Sequence, residues 1–533
     1  MAATGERVFV RKASGLIKSA SNTDVLIFDL GLVSIGIGLG GLLLFGPAIY
    51  PGGSLPLAAL IGGAAMVFVG LGMICWSVTL PRSGGIYVFG TRSMWPPLAF
   101  TLSFVESSAW LFYSALGAFW ITNIGIAPAV TTVGILNNNS TLIRWGTDLN
   151  GKWPTFLIGA VCLIGGGALL ASGMRRFFLV QKIAFAIAVG GTLLFLVTLI
   201  FTSRSSFISS FNEHMGPQLG VGPDAYHGVI TKTGFTDPGF DWKQTFLLSN
   251  WAFLPLIGAA FSISIGGEIK QVSRGQTIGI LGAIIASVIV FIVSFALVNH
   301  TMGYTFLGAV TSGNLNGVQG ASTPTTPWIN LLVGLGAGSS VLTVLISLGF
   351  VAWIWLWVPS QIGYGNRAIM AWALDRVAPD YLGKVSDRTH TPVRAIAAAT
   401  AAAVTFLALY IFTKFFAVVI FIEAGVLAWA IVLLAGVFFP YRRPDLYEKS
   451  PISATRVLGL PAMSVACALG SLACWAFFIN LFFDDFAAGH SRKALLTVIG
   501  WFVAGFLIFF AMRLKRTREG VDLDMAFKEI PVE

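Results

Sequence analysis

Charged residues are scarce in this sequence. Asp, Glu, Lys and Arg together make up 11% of its 533 residues, whereas soluble domains carry them at about a quarter of their positions. Hydrophobic residues make up 56% of the chain. Because a water-soluble fold cannot bury so much apolar surface, the composition excludes an ordinary soluble domain and indicates a protein that crosses a membrane.

Cysteine and histidine are also rare, and neither forms a pattern typical of a reactive site. The four cysteines, Cys75, Cys162, Cys467 and Cys474, fall inside apolar runs, where cysteine usually acts as a small apolar residue. The five histidines form no His-Glu-x-x-His pattern, and the sequence contains no Gly-x-Ser-x-Gly elbow or phosphate-binding loop. We therefore expect neither an enzyme nor a resident metal or organic cofactor.

Long apolar runs dominate what is present. Each is about 20 residues long or longer, enough to cross the hydrocarbon core as a helix, and none shows the even alternation of barrel strands. The sequence therefore predicts an all-α integral membrane bundle of twelve helices. Their predicted positions are 26–50, 54–80, 98–131, 153–172, 177–202, 245–268, 278–301, 338–365, 394–412, 416–440, 457–482 and 494–513.

The basic residues indicate an orientation. Most of the 33 Lys and Arg residues fall in segments on the same side as the N-terminus, and cytoplasmic loops retain positive charge. We expect a plasma-membrane protein with both termini in the cytoplasm. The net charge of +10 then reflects topology and contact with anionic lipid, and no nucleic-acid partner is expected.

Two spans contain candidate interruptions, which in transporters often mark the substrate site. Residues 34–47, SIGIGLGGLLLFGP, are rich in glycine, so an unwound half-helix there would offer N–H donors to a carboxylate; close helix packing is the alternative. In residues 253–268, Pro255 and Gly258 favour a break, with Ser262 and Ser264 available to pair freed backbone groups. A kinked but continuous helix is the alternative there.

The two candidate breaks lie in the first helix of successive five-helix groups, the position expected of an inverted repeat. This spacing gives the predicted organisation of the chain. Its segments are a cytoplasmic N-terminal segment at 1–25, a first repeat at 26–202, an extracellular loop at 203–244, a second repeat at 245–440, helices eleven and twelve at 441–513, and a cytoplasmic tail at 514–533.

Four loop segments carry a family resemblance. TLPRSGGIYVFGTR at 79–92, EIKQVSRGQTI at 268–278, the segment NRAIMAWALDRVAPDYLGKVSDRTHTPVRAIA at 366–397, and YRRPDL at 441–446 are similar to loops of the amino acid–polyamine–organocation (APC) superfamily of permeases. The resemblance implies a leucine-transporter-like fold of two inverted five-helix repeats plus two peripheral helices. It also implies alternating access around a central site for an amino acid or amine.

Alignment with the family's first-helix motif places Gly40, Gly41 and Leu42 where a Gly-Ser-Gly-like triplet receives the substrate carboxylate, although Leu42 departs from that triplet and would narrow the site. In the sixth helix, Ala260 replaces an acid found in some relatives. Aromatic residues such as Trp110 are candidates for binding the substrate, and packing between helices is the alternative role for them. The predicted substrate-binding residues are Gly38, Gly40, Gly41, Leu42, Trp110, Tyr113, Ser114, Leu256, Ile257, Gly258, Ala259, Ala260 and Gln361, with Tyr364 as a further candidate.

Ionisable residues inside a membrane are costly and tend to be functional. Glu106 in the third span, Glu423 in the tenth and Lys182 in the fifth are the predicted coupling residues, with a structural hydrogen bond as the alternative for Glu106. Lys182 can also extend to the interface, and Asp29 can lie in water at the inner end of the first helix. Some members of the superfamily that the chain resembles carry a lysine midway along helix five. Lys182 lies about two turns nearer the cytoplasm, so the resemblance does not identify the coupling ion.

The coupling ion is a proton or sodium. Hydroxyl oxygens that suit a hard cation occur in the eighth span, although helix hydroxyls usually bond to the preceding turn. The candidates are Ser339, Ser340, Thr343 and Ser347. On the predicted outer face, Asn138 and Asn139 lie in glycosylation sequons.

Together these features predict a secondary active transporter of amino acids or related amines, ion-coupled. The apolar character of the candidate site favours a neutral or hydrophobic substrate. An exchanger, a channel, or a solute sensor that keeps the fold without transport, are the alternatives.

Overall fold

The computed structural model describes residues 15–413, 420–487 and 490–528. Within them, twelve helices are long and apolar enough to cross a membrane, which confirms the predicted all-α membrane bundle. The first residues of the predicted N-terminal segment (1–14), the start of the predicted tenth span (416–419) and the end of the predicted tail (529–533) lie outside the described residues.

The spans are numbered here in chain order, and two of them are divided. Span 1 comprises the helices Asn22–Val33 (span 1a) and Ile35–Ile49 (span 1b), and span 6 comprises the helix Trp242–Leu256 followed by a 3₁₀ helix, Ile257–Ser264. Spans 2 to 5 are Leu55–Thr79, Pro96–Leu136, Lys152–Ala171 and Met174–Phe201; spans 7 to 9 are Val272–Met302, Ser340–Leu374 and Val393–Phe412; spans 10 to 12 are Ile420–Arg442, Ala462–Phe482 and Arg492–Arg518.

Shorter elements connect the spans. Span 3 contains a π-helical turn at Ile121–Ile126, and further 3₁₀ turns lie at Gly266–Glu268 and Asp380–Gly383. A two-stranded antiparallel hairpin joins Arg456–Val457 to Leu460–Pro461. The short helices are Ile86–Thr91, Ser140–Leu149, Arg204–Leu219, Ala225–Thr233, Tyr304–Leu315, Ile329–Ala337, Pro444–Tyr447 and Leu523–Lys528.

Several predicted boundaries differ from the observed ones by five residues or more, and two of these differences have identifiable reasons. Span 11 begins at Ala462 and not at 457, because Leu458 and Gly459 adopt positive φ (51° and 82°), a conformation typical of tight hairpin turns. Span 8 continues to Leu374, past the predicted end at 365. The added turns carry buried residues such as Met370, and their burial stabilises the longer helix.

Burial separates the centre of the bundle from its periphery. Spans 1 and 6 are 83% and 72% buried, whereas span 12 is 11% buried. The two broken spans are therefore central, and span 12 is peripheral. We call the side of the bundle with residues 15–21 and 519–528 the terminal face, and the other side, with residues 203–241, the opposite face.

Candidate functional site

Span 1 is interrupted at Ser34. This residue has left-handed backbone angles (φ 48°, ψ 75°) and ends span 1a, and the first bond of span 1b runs from the Gly38 N–H to the Ser34 carbonyl at 3.0 Å. The N–H groups of Ile35, Gly36 and Ile37 precede that bond, and the Ser34 side chain does not cap them. A helix N-terminus of this kind attracts negative charge.

The interruption lies at the first residue of the predicted segment 34–47, and not at the three residues that the family motif indicates. Gly40, Gly41 and Leu42 lie inside the regular helix of span 1b, more than one turn beyond the break. The glycines remain helical because several of them give room to large neighbours, as where a Cβ on Gly40 would lie 3.3 Å from the Trp328 ring. The alternative of close packing therefore describes part of this run better than unwinding does.

Span 6 changes from an α-helix to a 3₁₀ helix after Leu256, as Pro255 and Gly258 predicted. A Cβ on Gly258 would lie 2.0 Å from the Leu32 carbonyl oxygen, so only glycine allows span 6 to cross span 1 this closely. Of the two serines expected to pair freed backbone groups, Ser262 is hydrogen-bonded to Asp29, whereas the hydroxyl of Ser264 has no partner among the described residues.

A cavity of about 400 Å³ lies beside the two breaks. Of the lining residues in the described part of the chain, nearly half are aromatic and none is charged. The lining residues are Leu32, Val33, Ile37, Gly38, Gly41, Phe45, Trp110, Tyr113, Trp120, Ile124, Trp251, Leu254, Pro255, Ile257, Gly258, Phe261, Trp328, Trp357, Gln361, Tyr410, Phe486 and Ala487.

Part of the predicted binding set lines this cavity and part does not. The predicted residues that line it are Gly38, Gly41, Trp110, Tyr113, Ile257, Gly258 and Gln361. The others, which are not among the lining residues, are Gly40, Leu42, Ser114, Leu256, Ala259, Ala260 and Tyr364. Leu42 is buried elsewhere and does not narrow the cavity, and the Ser114 hydroxyl donates to the Val358 carbonyl at 2.8 Å.

Several aromatic lining residues were not predicted. Trp120 and Trp357 stack at 5.7 Å between ring centroids, and both lie in spans that the sequence had already identified. Their helical spacing along spans 3 and 8 was the available signal. Trp328 and Phe486 come from connecting segments, whose path gives no periodic pattern.

The segment 483–487 covers the cavity on the opposite face. The Tyr50 hydroxyl donates to Oδ2 of Asp484 at 2.5 Å, and the Trp251 indole N–H donates to the Tyr50 oxygen at 2.8 Å. Phe486 packs against Phe45 and Trp251, each at 5.5 Å between ring centroids. This segment, called the cover segment below, joins spans 1b and 6 above the cavity.

The terminal face is closed by a buried ion pair and by backbone contacts. Arg367 and Glu268 form a two-bonded pair with N–O distances of 2.8 and 3.0 Å, and neither side chain is more than 1% exposed. The Ser19 and Ala20 N–H groups donate to the Glu268 carbonyl, and the Gly84 N–H donates to that of Ser264. The loops with the family-like sequences therefore seal this end of the molecule.

The predicted coupling residues lie outside the lining. Glu106 is fully buried and accepts hydrogen bonds from the Tyr364 hydroxyl and, at 2.8 Å, from the Trp429 indole N–H. Glu423 is buried near the start of span 10. Its Oε1 has no hydrogen-bond partner among the described residues. Lys182 pairs with Asp24 at 2.7 Å and is 47% exposed.

The expectation that Asp29 lies in water is wrong, because Asp29 has no exposed surface. It lies where span 1a packs against span 6. There its carboxylate bonds to Ser262, so contact with water is replaced by contact with protein.

The hydroxyls of the predicted sodium site each have a separate partner. Ser339 caps span 8 at the Leu342 N–H, and Thr343 donates to the Ser339 carbonyl at 2.9 Å. Ser340 and Ser347 accept from Asn137 and Asn330. Only Thr343 shows the bonding to the preceding turn that was the alternative, since Asn137 and Asn330 lie outside span 8. Sodium at Ser339, Ser340, Thr343 and Ser347 remains a prediction. Of the two asparagines in the predicted glycosylation sequons, Asn139 caps the helix Ser140–Leu149 and Asn138 is exposed.

Comparison with known proteins finds relatives and a matching family. Two curated relatives are arginine/agmatine antiporters of Chlamydia trachomatis, serovars D and A, each 23% identical over 316 residues. The aligned region covers 58% of this chain and 56% of each relative, so the chain matches only about half of their length. A family model described as amino acid permease matches residues 25–513. The chain thus belongs to the amino acid permease family, which is a family of membrane transporters and not of enzymes.

Proposed function

We propose that this chain carries an amino acid or a related amine by alternating access, driven by an ion gradient, with a preference for neutral or hydrophobic side chains. The observation that supports this proposal most strongly is the uncharged, aromatic cavity of about 400 Å³ beside the breaks of spans 1 and 6. In the proposed orientation, the terminal face is in the cytoplasm and the membrane is the plasma membrane.

The cavity offers a separate environment to each part of such a solute. The start of span 1b suits the carboxylate, because Ile37 lines the cavity and is one of the residues whose N–H groups precede the first helical bond. The aromatic walls suit an apolar side chain, whose burial contributes about 1.5–3 kcal/mol. A charged side chain would lose its hydration there without a counter-charge from the lining. This difference favours a neutral substrate.

A second candidate is exchange of cationic amines. The relatives are named arginine/agmatine antiporters, and aromatic rings such as Trp120, Trp328 and Trp357 can bind a cation over their faces. This candidate needs no acidic residue in the lining.

Counterflow in proteoliposomes tests the proposal and separates the two candidates. Purified protein is loaded with unlabelled solute, and uptake of labelled leucine, phenylalanine, arginine and agmatine is followed with and without proton and sodium gradients. We expect saturable uptake of the neutral amino acids, raised by one of the gradients. Preference for arginine and agmatine, with uptake only against internal solute, would favour the exchanger. Binding without any flux would indicate a sensor, and neither binding nor flux of any amino acid or amine would refute the proposal.

A further inference from the structure

Asp29 belongs to a buried polar cluster that joins spans 1a, 6 and 7. Its Oδ1 accepts from the Ser262 N–H at 2.9 Å, and its Oδ2 lies 2.8 Å from the Ser262 hydroxyl oxygen. The same hydroxyl lies 2.8 Å from Oε1 of Gln276, whose Nε2 donates to the Ser262 carbonyl at 3.0 Å. All three side chains have no exposed surface.

Counting hydrogens shows that this cluster needs one more proton than an ionised Asp29 supplies. The Ser262 hydroxyl has a single hydrogen, but both of its neighbours, Oδ2 of Asp29 and Oε1 of Gln276, are acceptors at 2.8 Å. With Asp29 ionised, one of these contacts joins two acceptors. Turning the Gln276 amide over repairs that contact but places its oxygen 3.0 Å from the Ser262 carbonyl, which again joins two acceptors.

A proton on Oδ2 of Asp29 satisfies every contact. Asp29 then donates to the Ser262 hydroxyl, Ser262 donates to Oε1 of Gln276, and Gln276 donates to the Ser262 carbonyl. A buried group that lacks a partner costs free energy, so this arrangement of spans 1a, 6 and 7 favours the protonated acid.

Charged groups on the surrounding elements do not replace that proton. On span 1a, Asp24 is paired with Lys182 of span 5. Arg367 of span 8 is paired with Glu268, next to the 3₁₀ segment of span 6. Arg274 at the start of span 7 is exposed. No Lys, Arg or His in the described residues forms an ion pair with Asp29 within 4.0 Å.

We propose that Asp29 is the proton-binding site that couples transport to a proton gradient. Oδ2 takes one proton from water in the cavity, whose lining residues Leu32 and Val33 lie one turn further along span 1. It holds this proton while span 1a is packed on Ser262 and releases it to water at the terminal face when the two separate. No other bond forms or breaks. The proposal rests on the carrier function proposed above and names its coupling ion.

Infrared spectroscopy of the purified full-length protein at neutral pH tests proton binding without any transport. Asp29→Asn is a close mimic of the protonated acid, because its amide N–H can donate to the Ser262 hydroxyl, so we expect it to fold. The wild-type minus Asp29→Asn difference spectrum should contain the carbonyl stretch of a protonated carboxylic acid. The matched control is Asp24→Asn on the same helix, which should remove only carboxylate bands. Carboxylate bands in the Asp29 difference would overturn the proposal.

Gln276→Met provides a second variant that keeps Asp29 itself. Without Oε1, the Ser262 hydroxyl is free to donate to an ionised Asp29, so the acid should bind its proton about tenfold more weakly, with the acid band lost about one pH unit lower. An unchanged midpoint would overturn the hydrogen count.

Proteoliposome assays then connect the proton to transport. Asp29→Asn should retain wild-type counterflow at equal pH on both sides and lose the accumulation driven by a proton gradient. Full proton-driven accumulation by Asp29→Asn would overturn the assignment. It would also be overturned if sodium alone drove accumulation by the wild type and removed its acid band. If the wild type shows no flux of any solute, the carrier function itself fails, while the infrared result still decides whether Asp29 holds a proton.

Discussion

Gly258 marks the closest approach of the two broken spans. The Leu32 carbonyl occupies the place where any side chain at this position would begin. Backbone atoms cannot move aside as the tip of a flexible side chain can. Span 6 can therefore approach span 1 this closely only because residue 258 has no Cβ. The shape of the cavity beside the crossing depends on the same glycine.

We predict that Gly258→Ala destabilises the protein strongly. The added Cβ would lie 2.0 Å from the Leu32 oxygen, and overpacking of a core costs about 1–3 kcal/mol or more. The measurement is the thermal unfolding temperature in detergent. Gly165→Ala is the matched control, since a Cβ there would first meet Trp355 at 4.0 Å. Equal unfolding temperatures for the two variants would contradict the crossing described here.

At this scale the sequence identified the right residue types more reliably than their roles. Trp110, Tyr113, Gly258 and Gln361, which are among the predicted substrate-binding residues, line the cavity. Leu42 does not line the cavity. Alignment to a family motif gives the position of a residue along the chain but not the side of the helix that faces the cavity, so it could not predict this.

At the scale of elements, the terminal face depends on a buried ion pair between span 8 and the segment after span 6. Removing one partner of such a pair leaves the other charge buried and uncompensated, which costs about 3–5 kcal/mol. Arg367 and Glu268 are both inaccessible to solvent. The closure of this face is therefore sensitive to either residue alone.

We expect Arg367→Met to lower the unfolding temperature markedly, and the double variant Arg367→Met/Glu268→Gln to recover part of the loss because no lone charge remains. The control is Arg513→Met, since Arg513 and Asp524 form a pair that is 41% and 57% exposed, and exposed pairs contribute about 0–1 kcal/mol. If Arg367→Met were as stable as Arg513→Met, the pair would not hold this face closed.

The cover segment gives a prediction for the opposite face. Tyr50→Phe removes the hydrogen bonds to Asp484 and Trp251, so the segment should open more often and let reagents reach the cavity. With Gly41→Cys as the reporter, whose Cβ meets nothing within 4 Å, we expect thiol labelling to become about tenfold faster, the effect of losing about 1.5 kcal/mol. Tyr381→Phe, at a 52% exposed tyrosine on the terminal face, is the control. An unchanged rate would show that the segment does not limit access.

Breaks in helices were predictable only in part. Pro255 and Gly258 gave the break in span 6 because proline and glycine act locally on the backbone. The break in span 1 falls on Ser34, and serine is not a residue type that signals a left-handed conformation in a sequence. A run of glycines signals either unwinding or close packing, and the sequence alone does not distinguish them.

For the whole molecule, hydrophobic runs were sufficient to predict twelve membrane helices, because apolar length is a property of each segment by itself. The orientation, which rests on the same kind of reasoning about charge, stays a prediction. The cavity was not predictable in this way, since Trp328 and Phe486 reach it from connecting segments that pack only in the complete fold.

The proposed orientation predicts a labelling pattern in intact cells. Ser205→Cys and Arg388→Cys introduce thiols at exposed positions on opposite faces. A membrane-impermeant thiol reagent added outside should label Ser205→Cys at once and Arg388→Cys only after the membrane is permeabilised. The reverse pattern would place both termini outside.

The central claim is that the solute binds in the cavity beside the two breaks, and counterflow by a matched pair of variants tests it most directly. Gly41→Phe adds a ring where a Cβ meets nothing within 4 Å and the cavity is open, whereas Gly190→Phe adds the same ring at an equally open position of span 5 that does not line the cavity. Both should insert into the membrane at wild-type levels. We predict that Gly41→Phe abolishes counterflow and Gly190→Phe retains it, and normal counterflow by Gly41→Phe would contradict the account.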